Sequence, residues 1–287
     1  MAKETMLAID IGGTKIAVAL VDGAVVLERD IVATPATAGP EAVMSAATEV
    51  ARRLLATCEA RPIAVGVACA GLVRNGHVRA LSHDLLPGWR HVPLAERLQW
   101  GLGSPVFVLN DAQAAAFGES VYGAGRRHES LLFVTVSTGV GGGVVLDRRL
   151  WSGATGLAGH IGHLHGGRLE RVTSGTALAQ RAAERGHPIS AREVLAAAEE
   201  GQQWAEELLD DGVRALSDVL TDVKLLLDLE LVVLGGGVGL NPVFQLALRD
   251  ALPAAGSPLQ LHVASAHLGA DAGLVGVAAW ARKLESR

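Results

Sequence analysis

Several clusters of side chains in this sequence have the types and spacing to do chemistry. The first is Asp10, which ends an apolar run and is followed by Gly12, Gly13, Thr14 and Lys15. Glycines let backbone N–H groups close on an anion, Thr14 adds a hydroxyl donor and Lys15 a charge, so this stretch can cradle a phosphate. Asp10 is suited to hold a water or Mg²⁺ beside it. The alternative for the same residues is an ordinary Gly-Gly hairpin turn. A second glycine run repeats the pattern, with Ser137 and Thr138 ahead of Gly139, Gly141, Gly142 and Gly143. Two matched units in the two halves of one chain favour phosphate over two unrelated turns.

Asn110 and Asp111 stand where an apolar run gives way to a helical pattern. A carboxylate at such a strand end can take the proton of a substrate hydroxyl as that hydroxyl attacks a phosphoryl group. An aspartate there is equally suited to cap the helix. Gly235, Gly236 and Gly237 follow another apolar run and offer bare backbone to a flat nucleoside, or simply a strand-to-helix turn. The densest cluster runs from Gly156 through His160, His163 and His165 to Glu170. A zinc site would need a fourth ligand, and no cysteine lies nearby. Imidazole and carboxylate groups suit the hydroxyls of a polyol better, with His165 read as a solvated surface residue.

These groups need strands and helices to hold them. Leu7–Ile11, Ile16–Val21 and Val25–Ile31 read as successive strands, followed by a helix over Glu41–Ala60. Ile63–Cys69, a hairpin around Asn75-Gly76 and Val106–Leu109 complete a first half, and a helix opens at Ala112. The pattern restarts with a strand at Leu131–Ser137, a glycine turn over Thr138–Gly143 and a strand at Val144–Leu146. Helices are expected over Thr176–Gly186, Ala191–Glu200, Gln203–Leu227, Asn241–Ala251 and Ala272–Leu284, with strands at Leu231–Leu234 and Leu259–Ala264. The chain is therefore α/β, with two lobes around a cleft, and the boundary falls within 112–130. The expected division is 1–115, 116–270 and a closing helix over 271–287 that packs back on the first lobe.

Composition narrows the class. The chain has 287 residues, of which 49% are hydrophobic, enough for one large core or two moderate ones. A net charge of −5 with no basic block argues against nucleic acid. No apolar run reaches the length of a membrane span, and residues 1–5 do not read as a signal peptide, so the expectation is a cytoplasmic protein. Cys58 and Cys69 form neither a disulfide framework nor a CxxC metal pair.

Taken together these motifs resemble the ROK family of bacterial sugar kinases, over about Leu7 to Ala279. The anchors are Asp10 to Lys15, Asn110 to Ala116, Val136 to Gly143, Gly159 to His163 and Asp271 to Leu274. The resemblance implies the two-lobed actin/hexokinase-like (ribonuclease H-like) ATPase fold with an interlobe cleft. It implies ATP with Mg²⁺ as cofactors, with Asp10, Gly12, Gly13, Thr14, Lys15, Thr138, Gly139 and Gly142 around the phosphates and Gly236 and Gly237 by the adenosine. It makes Asp111 the catalytic base and gives Gly71, Asp84, Asn110, His160, His163 and Glu170 to the sugar. A homodimer is the family's usual state.

The Gly156–His163 segment resembles members that phosphorylate N-acetylmannosamine at its 6-hydroxyl in sialic acid catabolism. Glucose-type members usually carry Glu where His160 stands. The alternatives are a glucokinase or other hexose kinase of the same family, and a non-catalytic sugar sensor. Two departures stand out. The cysteine-rich zinc loop common in the family is replaced by Leu164–Leu169, so no structural zinc is expected. Asp84 also stands where a sugar-contacting Asn is usual, and it can accept but not donate hydrogen bonds.

Overall fold

A computed structural model of the chain describes residues 5–58, 60–81 and 86–286. Strand β1 (Met6–Ile11) pairs antiparallel with β2 (Lys15–Asp22), which pairs antiparallel with β3 (Val25–Ala33). Helix α1 (Pro40–Thr57) leads to β4 (Val65–Cys69), which lies parallel to β1 on its other side. A small hairpin of β5 (Leu72–Arg74) and β6 (His77–Arg79), then helix α2 (Leu94–Leu102), precede β7 (Val106–Asn110), parallel to β4. Helix α3 (Asp111–Val121) begins at the next residue.

The second half repeats this plan. Strands β8 (Leu131–Val136), β9 (Val140–Leu146) and β10 (Arg149–Trp151) form a meander. Helices α4 (Leu164–Thr173), α5 (Gly175–Glu184), α6 (Ala191–Glu199) and α7 (Gln203–Leu227) follow. Then β11 (Leu231–Gly235) lies parallel to β8, helix α8 (Pro242–Ala251) leads to β12 (Val263–Ser265), and α9 (Ala272–Glu285) closes the chain. The described residues thus form two five-stranded sheets of one topology, β3-β2-β1-β4-β7 and β10-β9-β8-β11-β12.

The central strands are buried on both faces, which is why β1, β4 and β11 are nearly continuous apolar runs. The outer cores differ from the inner ones. Leu, Val and Ile fill the space under α1 and α2 on one sheet and under the α5–α8 layer on the other. Between the two sheets the core is rich in alanine, including Ala8, Ala17, Ala19, Ala68, Ala114 and Ala278. Small residues let two helices come close there, and those helices are exchanged between the halves. Helix α3 leaves the first sheet and packs on β8 and β9, whereas α9 leaves the second sheet and packs on β1 and β4. They cross at Gly118 and Gly276, where a Cβ on Gly276 would stand 1.8 Å from the Ala114 carbonyl oxygen.

The sequence pattern and the structure differ in a few places. Gly141, Gly142 and Gly143 lie within β9 rather than in the turn, which is confined to Ser137–Gly139. Their glycine character comes from packing. A Cβ at Gly143 would stand 2.6 Å from the Ala116 Cβ, and one at Gly142 would stand 2.7 Å from the Gly159 oxygen. Helices α2 and α4 and strand β10 went unread. They are short, and α4 opens with His165, Gly166 and Gly167 all in the left-handed region. The strand expected over Leu259–Ala264 shrinks to β12, because residues 256–260 are folded into turns closed by Gly256 N–H to Gln260 Oε1 and Gln260 N–H to Ser257 O.

Candidate active site

Parallel pairing brings the carboxyl ends of the strands together. Ile11 lies opposite Cys69, and Cys69 opposite Asn110, so the residues around Asp10, Ala70–Gly71 and Asp111 emerge side by side. In the second sheet Thr135 lies opposite Gly235. Ligands of open α/β sheets sit at such ends. Here the two sets of ends face a cleft of about 290 Å³. A larger cavity, about 610 Å³, lies beyond β7 and is lined by none of these carboxylates or turn amides.

Each sheet contributes one hairpin turn, and both turns are clamped by hydrogen bonds. In the first, Gly12 N–H donates to Lys15 O at 3.0 Å, the Thr34 hydroxyl donates to Gly12 O at 2.7 Å, and Thr34 N–H donates to Thr14 O at 3.0 Å. In the second, Ser137 N–H donates to Gly139 O at 2.9 Å and Gly175 N–H donates to Ser137 O at 2.7 Å. Carbonyls are therefore spent on the clamps. The N–H groups of Gly13, Thr14, Thr138 and Gly139 meet no acceptor among the described residues. Adjacent unspent N–H groups in a turn are suited to take up an anion, and each wall of the cleft has such a pair.

Asn110 is the N-cap of α3. Its Oδ1 accepts from the N–H groups of Ala112 at 3.1 Å and Gln113 at 3.2 Å, while its Nδ2 donates to Gly71 O at 3.0 Å. Capping is thus done by Asn110, and Asp111 is freed to be the first helical residue. Asp111 Oδ1 accepts from Ala112 N–H at 2.8 Å. Asp111 is exposed at the cleft, while the protein packed around it displaces part of its water. That desolvation raises its pKa from the usual carboxylate value, against the opposing pull of the Ala112 N–H and of nearby His160. Asp10 is pushed up to about 7, first by burial and then by the Asp111 charge, with Lys15 pulling the other way. Cys69, fully enclosed between them, has its thiol raised by burial and by the same two charges.

The opposite wall carries Glu170, His160 and His163. Glu170 Oε2 accepts from Val140 N–H at 2.9 Å, which ties a carboxylate directly to the second turn. His160 Nδ1 lies 3.2 Å from the Leu157 oxygen, so Nδ1 carries the proton and Nε2 is an acceptor. That Nε2 is buried and makes no well-formed hydrogen bond among the described residues, although the Gly71 backbone lies close enough to pull the ring's pKa upward. Burial lowers the His160 pKa, keeping the ring neutral. His160 and His163 stack with centroids 6.4 Å apart, and His165 points away toward Asp222 at 3.7 Å.

Of the residues singled out from sequence, Gly12, Gly13, Thr14, Gly71, Asn110, Asp111, Thr138, Gly139, Gly142, His160, His163 and Glu170 line this one cleft. Asp10 lies just behind it, close enough to feel the Asp111 charge. Lys15, Gly236 and Gly237 are not among the lining residues. Gly236 (φ 83°) turns the chain out of β11, and a Cβ there would stand 2.3 Å from the Val136 oxygen. Gly237 has open space around it. Asp84 lies outside the described residues. Among the described residues no group of three or more His, Cys, Asp or Glu is arranged to hold a metal ion, and no helix is long and apolar enough to cross a membrane. Thr34 and Gln113 were not read as site residues. Thr34 gives no local signal, because it meets the first turn only after β3 has returned to it.

The sequence profile described as ROK family matches residues 6–284. The bifunctional enzyme NanE/NanK of Brucella suis biovar 1 (strain 1330) is 40% identical over 279 residues, covering 95% of this chain and 52% of its own length. The chain thus spans about half of that relative. The N-acetylmannosamine kinase of Yersinia pestis (strain Pestoides F) is 38% identical over 292 residues, covering 96% of this chain and 98% of its own. Among solved structures, a ROK family glucokinase from Streptomyces griseus in complex with glucose and AMPPNP superposes with a TM-score of 0.83 at 30% identity, over 97% of this chain and 99% of that one.

Proposed function

The chain belongs to the ROK family, and from that premise we propose that it transfers the γ-phosphate of ATP to the 6-hydroxyl of N-acetylmannosamine. The observation that carries this reading is Asp111 between two unspent N–H pairs, a proton acceptor set beside two anion cradles. In the proposed reaction Asp111 takes the proton of the sugar 6-hydroxyl, whose oxygen forms the new bond to the γ-phosphorus as the bond to the ADP oxygen breaks. The N–H groups of Gly13, Thr14, Thr138 and Gly139 hold the phosphate chain and stabilise the charge that develops on it.

A divalent cation fits the donor set, because the Asp111 charge raises the cost of ionising Asp10 and both residues offer only hard oxygen ligands. Asp10 would hold Mg²⁺, which when bound neutralises charge on the phosphates. The kinases named among the relatives and the bound ATP analogue of the Streptomyces griseus glucokinase support the choice of donor.

The sugar assignment rests on His160. A neutral ring with Nδ1 committed to Leu157 leaves one acceptor, Nε2, buried in the cleft wall that His160 lines. A glutamate at that place would present a charged double acceptor suited to two vicinal hydroxyls. A single neutral acceptor matches one N–H donor, such as that of an N-acetyl group. The Yersinia pestis relative carries the corresponding name.

Asp111→Asn tests the core of this reading. The expected result is a fall in kcat of about 10²–10⁴-fold with sugar binding, measured by calorimetry, within a few-fold of wild type. A variant that keeps its kcat refutes Asp111 as the base. A wild-type chain that binds sugar but turns none over replaces the kinase with a sensor.

A further inference from the structure

Gln113 follows Asp111 by two residues on α3 and is 1% exposed. Its amide nitrogen donates to two carbonyl oxygens, Gly156 at 3.1 Å and Ala158 at 3.0 Å. Its Oε1 accepts from the Ser152 hydroxyl at 3.4 Å, and its own N–H donates to Asn110 Oδ1 at 3.2 Å. Every polar atom of the side chain is therefore directed at one segment, 152–158, which arrives from β10 of the other sheet. Among the described residues no other side chain from outside residues 152–160 hydrogen-bonds to that stretch.

The segment ends at His160. Ala158 leads to Gly159, whose oxygen is wedged against Gly142 of β9, and then to the His160 ring with its buried, unpartnered Nε2. The two carbonyls held by Gln113 lie on either side of Leu157, the residue whose own carbonyl fixes the His160 tautomer. One side chain thus spans from the helix bearing Asp111 to the strap bearing His160. A methyl-terminated side chain of the same length would leave two carbonyls, one buried and one part-buried, without donors.

We propose that Gln113 is a positioning residue: it registers His160 against Asp111, so that recognition of the sugar substituent and placement of the reacting hydroxyl are set by one buried amide. This rests on the kinase reading above. It deepens that reading by adding a specificity-determining contact that touches neither substrate. The larger cavity beyond β7 adds a geometric reason, since Gln113, Ser152 and Gly156 all line it. The strap therefore borders open space there, with Gly156 packed closely on the Val73 carbonyl and the Gln113 hydrogen bonds fixing the residues on either side of Leu157.

The test is a double-mutant cycle read by sugar binding without ATP. Gln113→Met and Gln113→Asn are made in the wild type and in a His160→Ala background, and N-acetylmannosamine affinity is measured by calorimetry. KM for sugar and for ATP are taken alongside. Gln113→Met is expected to weaken sugar binding by about tenfold or more while KM for ATP stays within about twofold. In the His160→Ala background the same substitution is expected to add less than about threefold, because the contact it positions is already gone. Gln113→Asn keeps an amide one methylene short and is expected to fall between. Should Gln113→Met fail to fold, Gln113→Asn carries the same cycle.

Equal weakening in both backgrounds overturns the proposal. So does a variant that melts earlier yet binds sugar as wild type, which would make Gln113 a structural residue only. A wild-type chain that does not bind N-acetylmannosamine overturns the parent reading instead, before any Gln113 variant is compared.

Discussion

The two sheets share one strand order, yet their equivalent strand ends carry different chemistry. In β1 the position before the last pairs with Ala17 and is Asp10. In β8 the equivalent position pairs with Gly141 and is Thr135. At these strand ends the first half places carboxylates, and the second places hydroxyls and bare backbone, its cleft carboxylate Glu170 coming from a helix instead. Both hairpin turns present a pair of unspent N–H groups, so the proposed anion binding draws on the two alike. In the proposed reaction, proton and cation chemistry falls to Asp111 and Asp10 of the first half. A repeated scaffold can thus supply a symmetric cradle for a phosphate chain, while asymmetry at one residue per strand end decides which side reacts. The clamps differ too. Thr34 closes the first turn from within its own sheet, whereas Glu170 and the start of α5 close the second.

That difference gives the largest expected contrast. Gly139→Ala would place a Cβ 2.9 Å from Glu170 Oε2, disturbing the turn and the carboxylate together. Gly12→Ala would meet only the Lys15 oxygen at 3.4 Å, an ordinary contact. Steady-state kinetics are expected to show KM for both substrates rising by about tenfold or more in the first variant and by less than about threefold in the second. Equal effects would mean that the turns are interchangeable.

Next in size is the helix crossing that joins the halves. Gly276→Ala drives a Cβ into the Ala114 carbonyl and should cost about 1–3 kcal/mol. A chain of this size should then melt about 2–4 °C lower per kcal/mol. Gly237→Ala, with nothing within 4 Å, is the matched control and should leave the melting temperature unchanged. Loss of ATP affinity in that control without loss of stability would bring Gly237 to the nucleotide.

The smallest effect isolates the charge asymmetry. Asp10 has a folded pKa of about 7, raised from 3.8 by burial and by Asp111. A raised carboxyl pKa favours the fold when protonated, so this contribution is present at low pH and is lost as pH rises through about 7. Asp10→Asn should therefore raise the melting temperature of the metal-free protein by a few degrees above pH 7. The advantage should fade as pH falls toward the unfolded pKa, and activity should be lost throughout. Thr135→Val at the matching position should show no such pH dependence. Melting curves across pH 5 to 8.5 would check both, and a pH-independent gain for Asp10→Asn would break the comparison.

Local patterns carried much of this. The glycine runs after β1 and β8 and the Asn110-Asp111 pair are contiguous in sequence, and each has its partner groups within a few residues. The helix and strand periods of the buried elements are equally local. What stayed hidden is long-range. The exchange of α3 and α9 is written in Gly118 and Gly276, which look like weak helix positions until a second helix lies across them. Gly141 to Gly143 read as turn residues because glycine signals a turn, but here it marks close approach of α3 and of the Gly159 segment to a strand. Gln113 sat inside a recognised motif without a role, since its side-chain partners lie 39 to 45 positions away.

The most direct test of the central claim is ADP release by the wild-type chain with ATP–Mg²⁺ and N-acetylmannosamine, N-acetylglucosamine, mannose and glucose in parallel. The account predicts turnover that is highest for N-acetylmannosamine, with glucose the poorer substrate. Glucose turned over better than N-acetylmannosamine would contradict the His160 argument, and turnover of none of the four would contradict the kinase itself.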